Sequence, residues 1–167
     1  MRFVLVDKIE AIEPGKRIVT VKALSLAEEY LADHFPAFPV LPGVMMIEAM
    51  VQAAAWLVRV QQDFACSIVV LSAARNVRYA SFVQPGNMLR CEVEAIQIGP
   101  ESAKFKGTGL VNGRTAVTAR LELASFNLAP RYPYLASADA DIVASLRRQF
   151  ALVGGPAALA AAGAKAQ

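Results

Sequence analysis

A chain of 167 residues, 56% of them hydrophobic and 19% charged, can fill a single core and is not disordered over most of its length. Its net charge of +3, with no run of lysine or arginine, excludes a nucleic-acid face readable from charge. Arg75, Arg78, Arg131, Arg147 and Arg148 are either scattered solvated charges or a surface for an acidic protein partner.

Residues 3–24 read as two strands joined by Glu13-Pro14-Gly15-Lys16, where proline fixes one turn dihedral and glycine accepts a positive one. Leu26 to Ala32 reads as a short helix with Ser25 as cap and Glu28 as its reciprocal partner. Prolines at 36, 39 and 42 push Phe35, Phe38 and Leu41 toward extended geometry, so the loop carrying His34 is expected to be stiff. Pro42 suits a helix start, and the main helix is predicted from Gly43 to about Gln62. It is apolar on all sides through Val58, which requires other elements to wrap it, and Arg59 complements the dipole near its end. Gly43 to Val60 nearly has the length of a bilayer span. Glu48 and Gln52 lie at its middle, where lipid offers no partner, so the segment is read as buried in protein rather than in a membrane. Asp7, Lys8 and Glu10 break any leader pattern at Met1, and a cytoplasmic protein is expected.

Beyond Asp63 the period changes. Ile68 to Leu71 is a β-branched run, and Leu89, Cys91, Val93 and Ala95 alternate with Arg90, Glu92 and Glu94. Asn112-Gly113 marks a hairpin whose second arm alternates Val117, Ala119, Leu121 and Leu123 with Thr118, Arg120 and Glu122. About four strands therefore follow the helix, giving an α+β fold with an antiparallel sheet curled around one helix over residues 1–126. Residues 127–167 form a C-terminal extension: a short helix from Ala140 to Leu152, then a flexible Gly/Ala-rich end from Gly154, with a docking helix as the alternative for that end. Cys66 and Cys91 lack metal-ligand spacing and are read as core thiols, so neither a disulfide nor a metal is expected.

His34, the one histidine, and Glu48 stand out in the apolar stretch from His34 to Gln52. A carboxyl group in such surroundings is expected to hold its proton near neutral pH. Gly43 opens the helix, so unpaired N–H groups there favour negative charge developing on a carbonyl oxygen; a plain Pro-Gly helix start is the simpler reading. Glu48 lies five residues in, roughly 7.5 Å along the axis, and Gln52 shares its face and can hydrogen-bond it. A base, an acid and an oxyanion site together suit removal of a proton next to a carbonyl with loss of a hydroxyl as water. His34 would take the proton and Glu48 would protonate the departing hydroxyl; a satisfied histidine and a structural ion pair remain the alternatives. Met45, Met46, Met50 and Trp56 are core fillers, or in part the lining of an acyl tunnel.

The motif His34-Phe35-Pro36, Pro39-Val40, Pro42-Gly43-Val44, Glu48-Ala49-Met50 and Gln52 resembles the 3-hydroxyacyl-acyl-carrier-protein dehydratases of fatty-acid synthesis, of the FabZ and FabA type with a hotdog fold. Weaker similarity runs through Pro85-Gly86, Phe105-Lys106-Gly107 and Val111-Asn112-Gly113. The resemblance implies a homodimer, or a higher oligomer of dimers, in which His34 of one subunit faces Glu48 of the other. It also implies that Gly43, followed by Val44, binds the thioester, that the Val40 carbonyl orients the His34 ring, and that Gln52 steadies Glu48. Acyl carrier protein is the implied partner, and no cofactor is needed, because the phosphopantetheine arm arrives with the substrate. Glu at position 48 looks more like the dehydratase-only branch. Asp33 stands where the family usually has glycine, and the chain beyond Phe126 exceeds the family's usual length. A specialised lipid or polyketide pathway would use the same chemistry. A hotdog thioesterase and a non-catalytic acyl-binding or partner subunit are the alternative readings.

Overall fold

The computed structural model describes residues 3–164. Strand β1 (Lys8–Glu13) and strand β2 (Arg17–Ala23) form the opening hairpin, with Gly15 at φ +72° in its turn. The first strand starts later than expected. Leu5 and Val6 are instead buried as plugs in the core, ahead of the point where Asp7 donates its N–H to the Val21 carbonyl.

The short helix expected over Leu26 to Ala32 is reduced to a single 3-10 turn, Glu29–Leu31. Its capping partners are used elsewhere. The Ser25 hydroxyl accepts the Ala27 N–H at 3.0 Å, and the Glu28 carboxylate takes the buried Lys22 ammonium at 2.6 Å. An ammonium removed from water needs such partners, and the Asp7 carboxylate and the Ala23 carbonyl complete its set.

Helix α1 (Gly43–Gln61) matches its prediction within a residue. From Met46 to Val58 every side chain is buried except Glu48 and Gln52, which are half-buried. By length and composition α1 could cross a bilayer, yet it packs against β2 and the four later strands. These are β3 (Ile68–Tyr79), β4 (Met88–Ile98), β5 (Ser102–Val111) and β6 (Arg114–Phe126). All neighbouring strands are antiparallel, in the order β1-β2-β4-β5-β6-β3. Leu89, Cys91 and Val93 on β4, Phe105 on β5, and Val117, Leu121 and Leu123 on β6 turn inward, as their alternation requires. Asn112 and Gly113 both take positive φ, which suits the twist of the β5–β6 hairpin. Gly107 lets α1 approach the sheet: a Cβ there would lie 2.8 Å from Met50 Sδ.

The extension shares the same core. Helix α2 (Ala136–Leu152) begins one turn earlier than expected, and its Phe150 ring sits 5.6 Å from Trp56 and 5.7 Å from Phe64. Buried Asp139 ties the helix down by accepting the Ser67 hydroxyl and the N–H groups of Leu128 and Ala129. The end expected to be flexible from Gly154 is instead helix α3 (Gly155–Ala164), which packs along β1 with Ala158 buried. The Ile9 N–H donates to the Val153 carbonyl at 2.8 Å, so the hinge between α2 and α3 is fastened to an otherwise open sheet edge. The last three residues lie outside the described residues.

Candidate active site

The base candidate is held by main chain. Tyr30, in the 3-10 turn, accepts the His34 N–H at 3.2 Å, and the half-buried His34 ring lies 4.4 Å from that of Phe35. Phe35 is not extended as its following proline suggested. It has φ +52°, and its carbonyl accepts the Phe38 N–H at 2.7 Å. A left-handed aromatic residue costs about 1–3 kcal/mol and persists only where its surroundings enforce it. Here the Leu41 N–H bonds the Val83 carbonyl, and Phe38 meets Phe82 edge-on at 5.6 Å, pinning the far side of the loop.

The acid candidate sits one turn inside α1. Gln52 Nε2 donates to Glu48 Oε1 at 3.0 Å, the pairing that four-residue spacing on a helix allows. Gly43 is the first helical residue, Pro42 accepts the N–H groups of Met45 and Met46, and the Gly43 N–H has no hydrogen-bond partner among the described residues. Val44 is 72% exposed beside it. Val40 is buried, and its carbonyl makes no hydrogen bond with the His34 ring among the described residues. Nor, among those residues, does any hydrogen bond or ion pair join His34 to Glu48, or Asp33 to His34.

Two features had no signal in the sequence. The Tyr79 ring, from the end of β3, packs on the start of α1, where a Cβ on Gly43 would lie 2.9 Å from Tyr79 Cε1. The main chain of residues 3–5 meets the Gln52 amide, the Leu5 N–H donating to Gln52 Oε1 at 2.9 Å. Strand β3 has one edge unpaired among the described residues, and Val70, Leu71 and Tyr79 are exposed along the strand. Burial, and then the Glu28 carboxylate, raises the Tyr30 phenol above its ordinary pKa, so its proton stays in place at any working pH.

A basic imidazole, a carboxyl group steadied by an amide and a helix-start N–H are the parts that proton transfer next to a carbonyl requires. The FabA-like domain family matches residues 1–120. Among similar proteins, the FabZ 3-hydroxyacyl-[acyl-carrier-protein] dehydratase of Geobacillus thermodenitrificans is 38% identical over 122 residues, 73% of this chain and 84% of that one. The FabZ dehydratase of Clostridium kluyveri is 36% identical over 119 residues, 71% of this chain and 83% of that one. In fold, the dehydratase heterocomplex ApeI:P from Xenorhabdus doucetiae aligns with TM-score 0.65 at 21% identity, over 80% of this chain and 90% of that one. Thioesterase HI1161 of Haemophilus influenzae aligns with TM-score 0.55 at 16% identity, over 72% and 78%. With the six-stranded antiparallel sheet, the single wrapped helix and the acid-amide pair on it, these matches establish that the chain belongs to the FabA-like family and has the hotdog fold.

Proposed function

We propose that this protein dehydrates 3-hydroxyacyl thioesters on acyl carrier protein to trans-2-enoyl thioesters, in fatty-acid or related lipid or polyketide synthesis in the cytoplasm. The observation that carries the reading is the Gln52-held Glu48 one turn inside a helix whose first N–H, at Gly43, is unpaired. The thioester oxygen accepts the Gly43 N–H, beside the exposed Val44, and this stabilises the enolate that forms as His34 removes the α-proton. Glu48 then delivers its proton to the 3-hydroxyl, the carbon–oxygen bond breaks, and water leaves. The imidazolium and carboxylate left behind exchange protons with solvent. The chemistry needs proton transfer alone, so neither metal nor organic cofactor takes part, and the phosphopantetheine arm belongs to the substrate.

His34 of one subunit works with Glu48 of its partner in a homodimer. The unpaired β3 edge supports this reading, because twelve residues of strand with exposed Val70 and Leu71 offer a second copy both hydrogen bonds and apolar contact. The test is enoyl absorbance from 3-hydroxyacyl carrier. Activity should appear in the wild type and vanish in His34→Ala and Glu48→Gln, while light scattering shows dimers in all three. Release of free acid and thiol instead would make the protein a thioesterase, and activity only with a co-purified partner would make it a subunit of a mixed complex.

A further inference from the structure

Gln52 holds Glu48, and the orientation of Gln52 is itself set from outside the helix. Its Oε1 accepts the Leu5 N–H at 2.9 Å, while its Nε2 donates to the Phe3 carbonyl at 3.1 Å and to Glu48 Oε1 at 3.0 Å. Turning the amide over would place its oxygen against the Phe3 carbonyl and its NH2 group against the Leu5 N–H, so both main-chain bonds would be lost together. The polarity of the amide is therefore fixed by two main-chain groups. The Leu5 end of this pair is itself anchored: Leu5 is 2% exposed, Asp7 joins β2 through Val21, and the Asp7 carboxylate accepts the Ala23 N–H at 2.7 Å.

We propose that the main chain at Phe3 and Leu5 is a positioning element for the acid: it locks Gln52 with its NH2 toward Glu48 Oε1 and so reserves Oε2 to carry the proton. The proposal rests on the reading of Glu48 as the acid. With the opposite polarity, a protonated Glu48 would donate its O–H to Gln52 Oε1, and the proton would be held by the protein rather than aimed at the hydroxyl. With the observed polarity Oε1 only accepts, and the proton resides on Oε2. As Oε2 gives up that proton to the departing hydroxyl, the Nε2–H···Oε1 bond strengthens with the charge of the carboxylate that forms. The lock therefore acts more on the transition state than on bound substrate. No single side chain at positions 3–5 encodes it.

A backbone ester at position 5, made by replacing Leu5 with its α-hydroxy acid, removes the N–H and keeps the side chain. The full-length ester protein is compared with wild type, with Gln52→Met, and with both changes combined. We expect the ester to lower kcat about tenfold with KM within about twofold, the split that marks loss of an interaction made in the transition state. Gln52→Met should lose at least as much, and the ester should add nothing in that background, because its effect runs through the amide. In isotope-labelled protein without substrate, the Gln52 side-chain NH2 protons should exchange slowly in the wild type and about tenfold faster in the ester, because without the Leu5 N–H on Oε1 the amide is free to turn out of the bonds its NH2 makes to Phe3 and Glu48. An ester loss that adds in full to that of Gln52→Met, or unchanged NH2 exchange in the ester, would overturn the lock. A wild type inactive on 3-hydroxyacyl carrier would instead overturn the reading of Glu48, and the exchange measurement would still decide the lock.

Discussion

The Tyr79 ring fills the space that a side chain on Gly43 would need, with Cε1 2.9 Å from the ideal Cβ position. This relationship joins the end of the edge strand to the N–H group assigned to the thioester oxygen. A methyl group at Gly43 must displace either the ring or the substrate. Because an exposed ring can move at small cost, Gly43→Ala should change the melting temperature by only a few degrees, corresponding to about 1 kcal/mol. The variant keeps the N–H, but its methyl group hinders the thioester oxygen from reaching it, and dehydration should fall by up to about a hundredfold, the size of effect seen when an oxyanion donor no longer acts. Combining it with Tyr79→Ala should restore stability and leave activity low. Steady-state kinetics beside a thermal melt separate the two effects.

Gly107 and Met50 set how closely helix and sheet approach. A Cβ at Gly107 would meet Met50 Sδ at 2.8 Å, and Met50 is fully buried. Gly107→Val should destabilise the fold by about 1–3 kcal/mol through overpacking. Met50→Ala in the same chain should recover part of that loss, because the two changes share one space. Urea titration of the single and double variants measures both terms.

The extension should release in acid. The Ser67 hydroxyl first, and then the Leu128 and Ala129 N–H groups, hold the Asp139 carboxyl below its ordinary 3.8. A depressed folded value means that this stabilisation is whole above 3.8 and is lost as pH falls through the folded value. Trp56 is the one tryptophan in the chain, and it packs on Phe150 of α2, so its fluorescence reports the docking. Asp139→Asn should bind the extension more weakly than the wild type at neutral pH, and the difference between the two should close in acid. A constant difference across the titration would exclude this role for Asp139.

Burial raises the Cys91 thiol from 9.0 to about 12, with the Thr20 hydroxyl opposing slightly. At pH 8 a native alkylation experiment should label half-buried Cys66 and leave Cys91 unmodified. Because the raised value disfavours thiolate in the folded chain, the contribution of Cys91 to stability is whole below pH 9 and declines as pH rises toward 12. Mass spectrometry of the labelled protein checks the first statement, and alkaline melts of Cys91→Ser checks the second.

Helix α1 was legible because a continuous apolar run after Pro42 has few other fates, and Asn112-Gly113 specified its hairpin by local dihedral chemistry alone. The strand alternation likewise assigned the inward faces of β4 and β6. What failed depended on distant partners. Glu28 pairs with Lys22 rather than capping a helix, and Phe35 is forced left-handed by contacts at Val83 and Phe82. Helix α3 is so uniformly Ala and Gly that no amphipathic face announces it; its docking on β1 is what makes it a helix. The candidates His34, Glu48, Gly43 and Gln52 follow from residue type and spacing, whereas Tyr79 and the main chain at Leu5 become visible only once the chain is folded.

Activity in a dimer built from two differently defective subunits tests the shared site most directly. Subunits carrying His34→Ala and Glu48→Gln, given different tags and purified as the mixed dimer, have one intact His34–Glu48 pair if the pair forms across the twofold contact. A site shared across the twofold contact gives about half the wild-type rate from that dimer, with either variant alone inactive. A mixed dimer as inactive as its two parents would place both groups of each site in one chain and rule out a site shared between subunits.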